Sequence, residues 1–595
     1  MAKSAAERVR KYTSKRRAHA RQVGLCTRCY KAKPNPGRTV CSVCRASISE
    51  LTKRKRKETR EASGSVKLIE AHERAGDVAR EHHVYELAAQ HYEDALRVSG
   101  TYESAWMRLS DKLAEVLWRG NRPGAASAVN DRLLAMYRLH PERSAEHIRT
   151  LFRVSRQLWA DSRTKDKIPI LSKAIRIAEL SGDLELLQQA NIRMANTFVQ
   201  LARFEEADRC LRAVEQLHKA HNIGIHTGYY THKGMVASGL GREKEAFASF
   251  DQAIEIAKEN TDPYSGATLW SNYGVVAVMF GRTKLAKAYC EHALLATRRS
   301  GVGWLLPIRC LWYAEFLTCI GEYTSAREYL VEALSHDAQT PILDEVIAYV
   351  GIPLALHMKE ETTLEKCVRP HVIDRAFLSG EPLRIGRVAV AFARMYVERG
   401  QRKKAQTLLH RAVQAVHNAT ETLHLSLEIA RCGAKADFPK ARGLLEVRVA
   451  LPGAHVAQAY LHLFDAFVAQ REGRRTDAQA QARDAAARFD GFAWSMYANL
   501  ARSLLPLEER HRPVAATHHA KPFSDTPAKF TERERDVAEL VLKGLTNRKI
   551  ADTLAISPHT VDSHVNAIMN RLGIRSRHQL ADTFSQPSEV SEPIP

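Results

Sequence analysis

"GREKEAFASFDQA" (residues 241–253), "GRTKLAKAYCEHA" (281–293) and "GEYTSAREYLVEA" (321–333) share one frame, and that frame decides the fold. Each carries a Gly, an Ala five residues later and a second Ala seven beyond that, with starts 40 residues apart. The frame returns as Gly400, Ala405, Ala412 and as Gly473, Ala478, Ala485. Worn copies stand at Ala88/Ala95, Gly120/Ala125, Ala202/Ala207 and Ala436/Ala441. A Gly there ends one helix in a left-handed cap, and the small Ala residues let the next helix approach its neighbours. Phe247, Phe250 and Ile254, at helical spacing, fill the seam. One such pair cannot bury its own apolar face, so the copies must stack. An all-α chain is predicted, with an α-solenoid over residues 76–505.

This pattern resembles tetratricopeptide repeats in their longer variety, with about ten or eleven units. The resemblance implies a binding surface. Residues 225–330 hold 11 of the chain's 25 Trp plus Tyr. Tyr229, Tyr230, Tyr264, Trp270, Tyr273, Trp304 and Trp312 are therefore candidates for a groove wall facing a peptide, protein or small-molecule effector. The competing reading makes them packing between repeats.

At 595 residues the chain is too long for one core. No uninterrupted apolar run approaches the roughly 20 residues that span a bilayer, and the basic N-terminus has no apolar segment behind it, so neither a membrane span nor a secretory signal is expected. A cytoplasmic protein is expected. Six of the ten cysteines are scattered singly, which fits reduced thiols better than a disulfide framework. The net charge of +22 is unevenly placed: residues 1–60 hold 19 Lys plus Arg against three Glu. So dense a basic arm pairs with polyanions, most often nucleic acid.

Within that arm, "CTRCYKAKPNPGRTVCSVC" sets Cys26, Cys29, Cys41 and Cys44 as two Cys-x2-Cys pairs. The Pro, Asn and Gly between them double the chain back. Four thiolates around a tetrahedral ion predict one structural zinc per chain, with no position open for a substrate. An iron–sulfur cluster and unliganded thiols are the alternatives. The quartet looks like a small zinc-ribbon module, and the flanking cationic stretches suit phosphate contact.

A Pro-punctuated stretch from Pro506 reads as a linker. Thr531 and Glu534 then form a capping box opening a helix with Val537, Leu540 and Val541 on one face, closed by Gly544. Thr546 caps a second helix whose inner face is Ile550, Ala551 and Leu554. Ser557 is an N-cap with Pro558 at the first helical position, and the third helix runs to Gly573. Ser576 caps a short fourth. Val561, Val565, Ile568 and Leu572 share the core face of the third helix. His559, Ser563, Asn566 and Asn570 lie opposite, with Asp562 at the edge.

Helix, turn, helix with a short joint is a DNA-reading geometry. Residues 530–582 resemble the DNA-binding domain of LuxR-type bacterial regulators, through Glu534, Gly544, Ile550, Ala551, Leu554, Ser557, Thr560, Val561, His564, Leu572, Gly573 and Arg577. The resemblance implies that Asp562, Ser563 and Asn566 face the major groove, where the family often carries a Lys or Arg. This chain departs from that habit. Base contacts are then expected from Asn, Ser and Asp side chains, Asp562, Ser563 and Asn566 foremost, with Ser557, His559, Thr560 and Asn570 also at the DNA, and phosphate contacts from Arg548, Lys549, Arg571, Arg575 and Arg577.

The expected organisation is a basic zinc-ribbon-like module (1–60), a helical linker (61–75), the repeat solenoid (76–505), a second linker (506–528), a four-helix LuxR-type domain (529–585) and a tail (586–595). No phosphate loop of the form G-x-x-x-x-G-K-[ST] occurs, nor an alternating strand–helix region. The expected function is a non-enzymatic bacterial transcription regulator on double-stranded DNA, with a homodimer among the arrangements admitted. The alternative is a scaffold whose solenoid binds a protein, with DNA as a docking surface.

Overall fold

The computed structural model describes residues 49–50, 65–99, 103–120, 122–260, 263–300, 302–336, 340–369, 371–416, 422–510, 532–542 and 547–554, with Thr560, Val561, His564, Val565 and Ile568. Among them every regular element is a helix, and there is no strand. The chain divides into two compact units, residues 1–113 and 114–595.

In the first unit, helix α1 (residues 65–81) packs on α2 (Tyr85–Ser99), and α3 (Glu103–Arg119) begins. The expected boundary at residue 76 therefore falls inside an uninterrupted helix. Ala88, Tyr92 and Ala95 are fully buried on α2. Gly76 makes the close approach possible, because a Cβ there would meet the Tyr92 ring at 2.6 Å.

The second unit continues with α4 (Pro123–Tyr137), α5 (Ser144–Ala160), α6 (Lys167–Ser181), α7 (Leu184–Gln200) and α8 (Phe204–His221). Then come α9 (Thr227–Gly239), α10 (Glu243–Asn260), α11 (Pro263–Met279), α12 (Thr283–Ser300), α13 (Leu306–Ile320) and α14 (Tyr323–Leu334). They are followed by α15 (Pro341–Met358), α16 (Glu361–Cys367), α17 (Val372–Ser379), α18 (Pro382–Glu398) and α19 (Arg402–Ala415). The array ends with α20 (Leu423–Cys432), α21 (Phe438–Val449), α22 (His455–Arg471), α23 (Arg475–Gly491), α24 (Ser495–Arg502) and α25 (Leu507–Arg510). The structure is that of a tetratricopeptide-like array. α15 is the one described helix long and apolar enough to cross a bilayer, and it packs among α13, α14, α16, α17 and α18.

The repeated frame works as its chemistry requires. Gly241 has φ 75°, and the Arg242 N–H reaches back to the Ala237 carbonyl at 2.8 Å, satisfying the end of α9. Ala246 and Ala253 are fully buried, as are Ala286, Ala326, Ala405, Ala412 and Ala485. The copy expected at Gly120/Ala125 is displaced by one residue, since Ala126 and Leu133 are the buried pair and Ala125 is half-buried.

Helices also meet across long stretches of chain. Arg448 donates to the carbonyls of Ser238 and Gly239, both at 3.4 Å, and so caps the end of α9. Ser495 Oγ donates to the Ile320 carbonyl at 2.7 Å, at the end of α13. Arg384 donates to Ser162 Oγ at 3.0 Å, and the Thr164 hydroxyl donates to the Glu381 carboxylate. Unsatisfied helix-end carbonyls are costly when buried, so Arg448 and Ser495 cap helices, and all of these contacts fasten one part of the array to another.

Candidate nucleic-acid interface and effector cavity

The C-terminal reader is described through α26 (Glu532–Leu542), α27 (Asn547–Leu554) and five helical residues beyond them. Val537, Ala538 and Val541 of α26 are buried, with Ile550 and Ala551 of α27. Val561, Val565 and Ile568 are buried too, so the face read as core in the third helix is core. Leu540 and Leu554 are half-buried. Glu534 is also enclosed, at 4% exposure.

Of the residues expected at DNA, Lys549 is exposed on α27, Arg548 lies on the same helix, and Thr560 is half-buried. Ser557, His559, Asp562, Ser563, Asn566, Asn570, Arg571, Arg575 and Arg577 lie outside the described residues. So do Leu572 and the quartet Cys26, Cys29, Cys41 and Cys44.

The aromatic candidates of the array separate into two groups. Tyr229, Tyr273 and Trp304 are buried, which corrects their placement on a groove wall. Tyr273 stacks on Phe250 and Tyr289 with ring centroids 4.6 and 4.1 Å apart, and Tyr229 donates its hydroxyl to Glu215. Trp304 is fully enclosed between Trp118 and Trp159. The physical reason is the seam itself: large flat rings fill the space that small Ala residues leave between stacked helices. Tyr230, Trp270 and Trp312 are half-buried, while the side chain of Tyr264 lies outside the description.

A narrow, half-open cleft of about 60 Å³ lies further along the array, among α13, α15, α18, α20 and α24. Its polar wall comes from α18, where Arg387 and Arg394 stand two turns apart on one face. Arg387 is held by Glu315 at 3.1 Å and lies over the Tyr349 ring, whose hydroxyl accepts from Trp312 Nε1 at 2.8 Å. Arg394 donates to Glu428 at 2.9 Å, and Arg431 reaches the same carboxylate oxygen at 2.9 Å. Burial raises the Glu315 carboxyl against the pull of Arg387. Burial, then the two arginines, push His424 down to about 3, so this imidazole is neutral at physiological pH. Its Nδ1 lies 2.8 Å from the Tyr497 hydroxyl and 3.1 Å from that of Tyr460.

Chemically, this wall offers guanidinium groups, aromatic faces and a buried carboxyl. At this size it can seat a small polar group, such as one side chain of a partner, in a fixed orientation. Met496 and Tyr497 bring in α24, a helix that stands shortly before the linker to the reader. Sequence reading missed this site. The signal was present in Arg387 and Arg394, two cations spaced by seven residues within "RVAVAFAR", a run whose intervening residues are all buried. The six described cysteines are free, and burial pushes the thiols of Cys290, Cys310, Cys319, Cys367 and Cys432 up to about 12.

Comparison with known proteins locates the two parts. The profile for bacterial regulatory proteins of the luxR family matches residues 528–584, and a tetratricopeptide-repeat profile matches residues 227–260. The spore germination protein GerE of Bacillus subtilis is 41% identical over 59 residues, which are 10% of this chain and 78% of GerE. A Mycobacterium bovis protein described as an HTH-type transcriptional regulator is 42% identical over 62 residues, 10% of this chain and 7% of that one. The matched stretch thus spans a small part of such long relatives. Among solved structures, the apo form of the quorum sensor NprR from B. thuringiensis aligns with a TM-score of 0.31 at 14% identity, covering 59% of this chain and 100% of that one.

Proposed function

We propose, for a chain that belongs to the LuxR family of bacterial regulatory proteins, that it is a DNA-binding transcription regulator whose helical array receives a signal. The reading is carried by one observation: the LuxR-type match at residues 528–584 coincides with a three-helix core built from Val537, Ile550, Val561, Val565 and Ile568. The reader holds duplex DNA through the third helix, with Lys549 among its phosphate contacts. The protein acts without catalysis, inside the cell, and a dimer on DNA is one form it takes.

The array is the sensor, and its effector site is the Arg387–Arg394 cleft, not the aromatic units before it. What supports this choice is the combination of oriented guanidinium groups at a small cleft and contact with α24. The effector is a peptide, a protein segment or a small molecule with polar groups to match. The N-terminal quartet Cys26, Cys29, Cys41 and Cys44 takes one structural zinc, a reading supported by its two Cys-x2-Cys pairs alone.

Mapping of DNA bound by the full chain in its host tests the function. Discrete sites sharing a sequence motif are expected. Binding spread evenly over the genome would defeat the regulator reading and favour a scaffold.

A further inference from the structure

We propose that His72, His91 and Asp94 form a second metal site, for a divalent ion of the zinc class, that ties α1 to α2. His91 and Asp94 are three residues apart on one face of α2, and His72 faces them from α1. The two imidazole rings have centroids 5.8 Å apart, and His72 Nδ1 lies 3.9 Å from Asp94 Oδ2. One ligand atom from each of the three falls within 4.8 Å of the others. Among the described residues this is the one group of His, Cys, Asp and Glu so gathered.

The chemistry of the donors fits. Zinc takes imidazole nitrogen and carboxylate oxygen at about 2.0–2.2 Å, so tetrahedral ligand atoms sit roughly 3.3–3.6 Å apart. Closing the cluster on an ion therefore needs about 1 Å of side-chain movement, which rotation about the side-chain bonds supplies. The backbone need not move. Gly76, one turn along α1 from His72, already lets the Tyr92 ring, next to His91, pack against the α1 backbone.

A second observation points to a missing partner. His91 Nδ1 is buried and has no hydrogen-bond partner. Other helical histidines of this chain satisfy that atom locally: His232 Nδ1 meets the Gly228 carbonyl at 2.6 Å and His292 Nδ1 meets the Ala288 carbonyl at 2.7 Å. An unpaired buried imidazole nitrogen is costly, and a cation bound through Nδ1 would satisfy it. The competing partner of Asp94 is Arg97, an i,i+3 neighbour at 2.6 Å with a largely exposed side chain. Such surface pairs contribute little, so an ion can displace the arginine.

Three protein ligands leave a fourth position for water, unlike a closed thiolate site. The donor set is nitrogen and oxygen only, which suits zinc, cobalt or nickel. Metal-free, full-length protein titrated with Co2+ tests the proposal, read by absorption. A thiolate-free cobalt spectrum is expected from this site, and sulfur-to-cobalt charge transfer from any cysteine site. Cys41→Ser should leave the thiolate-free bands intact. His72→Gln, His91→Gln and Asp94→Asn should each abolish those bands and, in the Cys41→Ser background, weaken the remaining zinc binding roughly tenfold or more and remove the zinc-dependent rise in Tm that remains there. Asp94 is partly exposed, so Asp94→Asn remains informative should either histidine variant fail to fold. Wild-type protein with no thiolate-free cobalt bands, or folded variants that keep them, would overturn the proposal.

Discussion

Trp494 Nε1 donates to Thr283 Oγ1 at 3.1 Å, although 211 residues of chain separate the two. The Thr283 hydroxyl in turn donates to the Phe492 carbonyl, so a single side chain on α12 satisfies both the backbone and the indole before α24. Trp494 is 3% exposed and packs against Phe489, Phe492 and Tyr497. Trp494→Ala should cost about 3–5 kcal/mol locally, whereas Thr283→Val should cost about 2–3 kcal/mol for the two lost hydrogen bonds. Hydrogen exchange is the suitable measurement, because so long an array need not unfold in one step. Protection should fall in both Thr283–Ser300 and Ser495–Arg502. A loss confined to the second segment would show that the distant contact carries no stability.

Two glycines with the same backbone role should respond differently to Ala. Gly241 and Gly473 have φ 75° and 81°, a region where a Cβ costs about 1–2 kcal/mol. At Gly473 the new methyl meets nothing within 4 Å, so the cost should stop there. At Gly241 it would lie 2.4 Å from the Pro452 carbonyl oxygen and 2.8 Å from Leu451 Cβ, forcing a distant loop away. Gly241→Ala should therefore lower Tm clearly more than Gly473→Ala. Equal losses would mean that the approach of the Pro452 segment is not tight in solution.

These glycines also show how far the fold was legible. The Gly–Ala–Ala frame found the pairs in which glycine supplies the positive φ. Elsewhere that conformation is held by His83, Ser162, Ala202 and Lys359, with φ between 55° and 60°. A search for Gly overlooks Ser162 and Lys359, and local pattern gives no sign that tertiary packing will impose the strain. Lys167 and Arg448 likewise stand buried in slots where other copies carry Ala, because each reaches polar partners that the linear pattern does not show. The cleft was hidden for a related reason. Its residues run from Glu315 to Tyr497 and meet only once the helices have stacked. Aromatic richness, by contrast, was plain in the sequence, yet Tyr229, Tyr273 and Trp304 fill seams, since composition does not distinguish a ring in a seam from a ring in a groove.

The cluster fastening α5–α6 to α15 and α18 should give a characteristic pH dependence. Burial raises Glu345 from 4.5 to about 7 against the attraction of Arg384. Burial lowers Lys167 from 10.5 to about 7 against the attraction of Glu381. Between pH 4.5 and 7 the folded state binds more protons than the unfolded state at Glu345, so stability falls as pH rises. Between pH 7 and 10.5 it binds fewer at Lys167, so stability rises with pH. The two contributions together are least favourable near pH 7. Glu345→Gln should flatten the acid limb, and Lys167→Met the alkaline limb, in melting curves taken across this range. A Glu345→Gln profile parallel to wild type would remove Glu345 from the account.

Effector response should depend on the cleft and not on the buried rings. Met496→Trp fills the open space beside Tyr497, and Arg387→Met removes a guanidinium without shortening the stem. Both should reduce induction of an operator-linked reporter severalfold, on the order of 1 kcal/mol of coupling, while DNA affinity of the full chain stays unchanged. Trp270→Ala, at a half-buried position outside the cleft, should leave induction in place. Loss of induction by Trp270→Ala alone would return the effector to the aromatic units.

The last prediction concerns what the reader touches. Val561, Val565 and Ile568 are buried, and helical spacing read from the sequence sets Ser563 and Asn566 opposite that face. Sequence selection then rests on polar, mostly uncharged groups. Asn pairs with both N6 and N7 of adenine, and Asp accepts from the cytosine amino group. Asn566→Ala should cost about 1–3 kcal/mol on the preferred site and relax selectivity at one base position. Lys549 is exposed on the preceding helix, and its replacement by Ala should weaken all sequences alike, with a salt slope smaller by about one unit. Asp562→Lys should tighten binding to random DNA, because it exchanges repulsion from the phosphates for attraction. Titrations of specific and random duplexes at two salt concentrations separate these outcomes. If Asn566→Ala weakens both duplexes equally, base reading belongs to another element, and the uncharged face of this helix serves only to fit the groove.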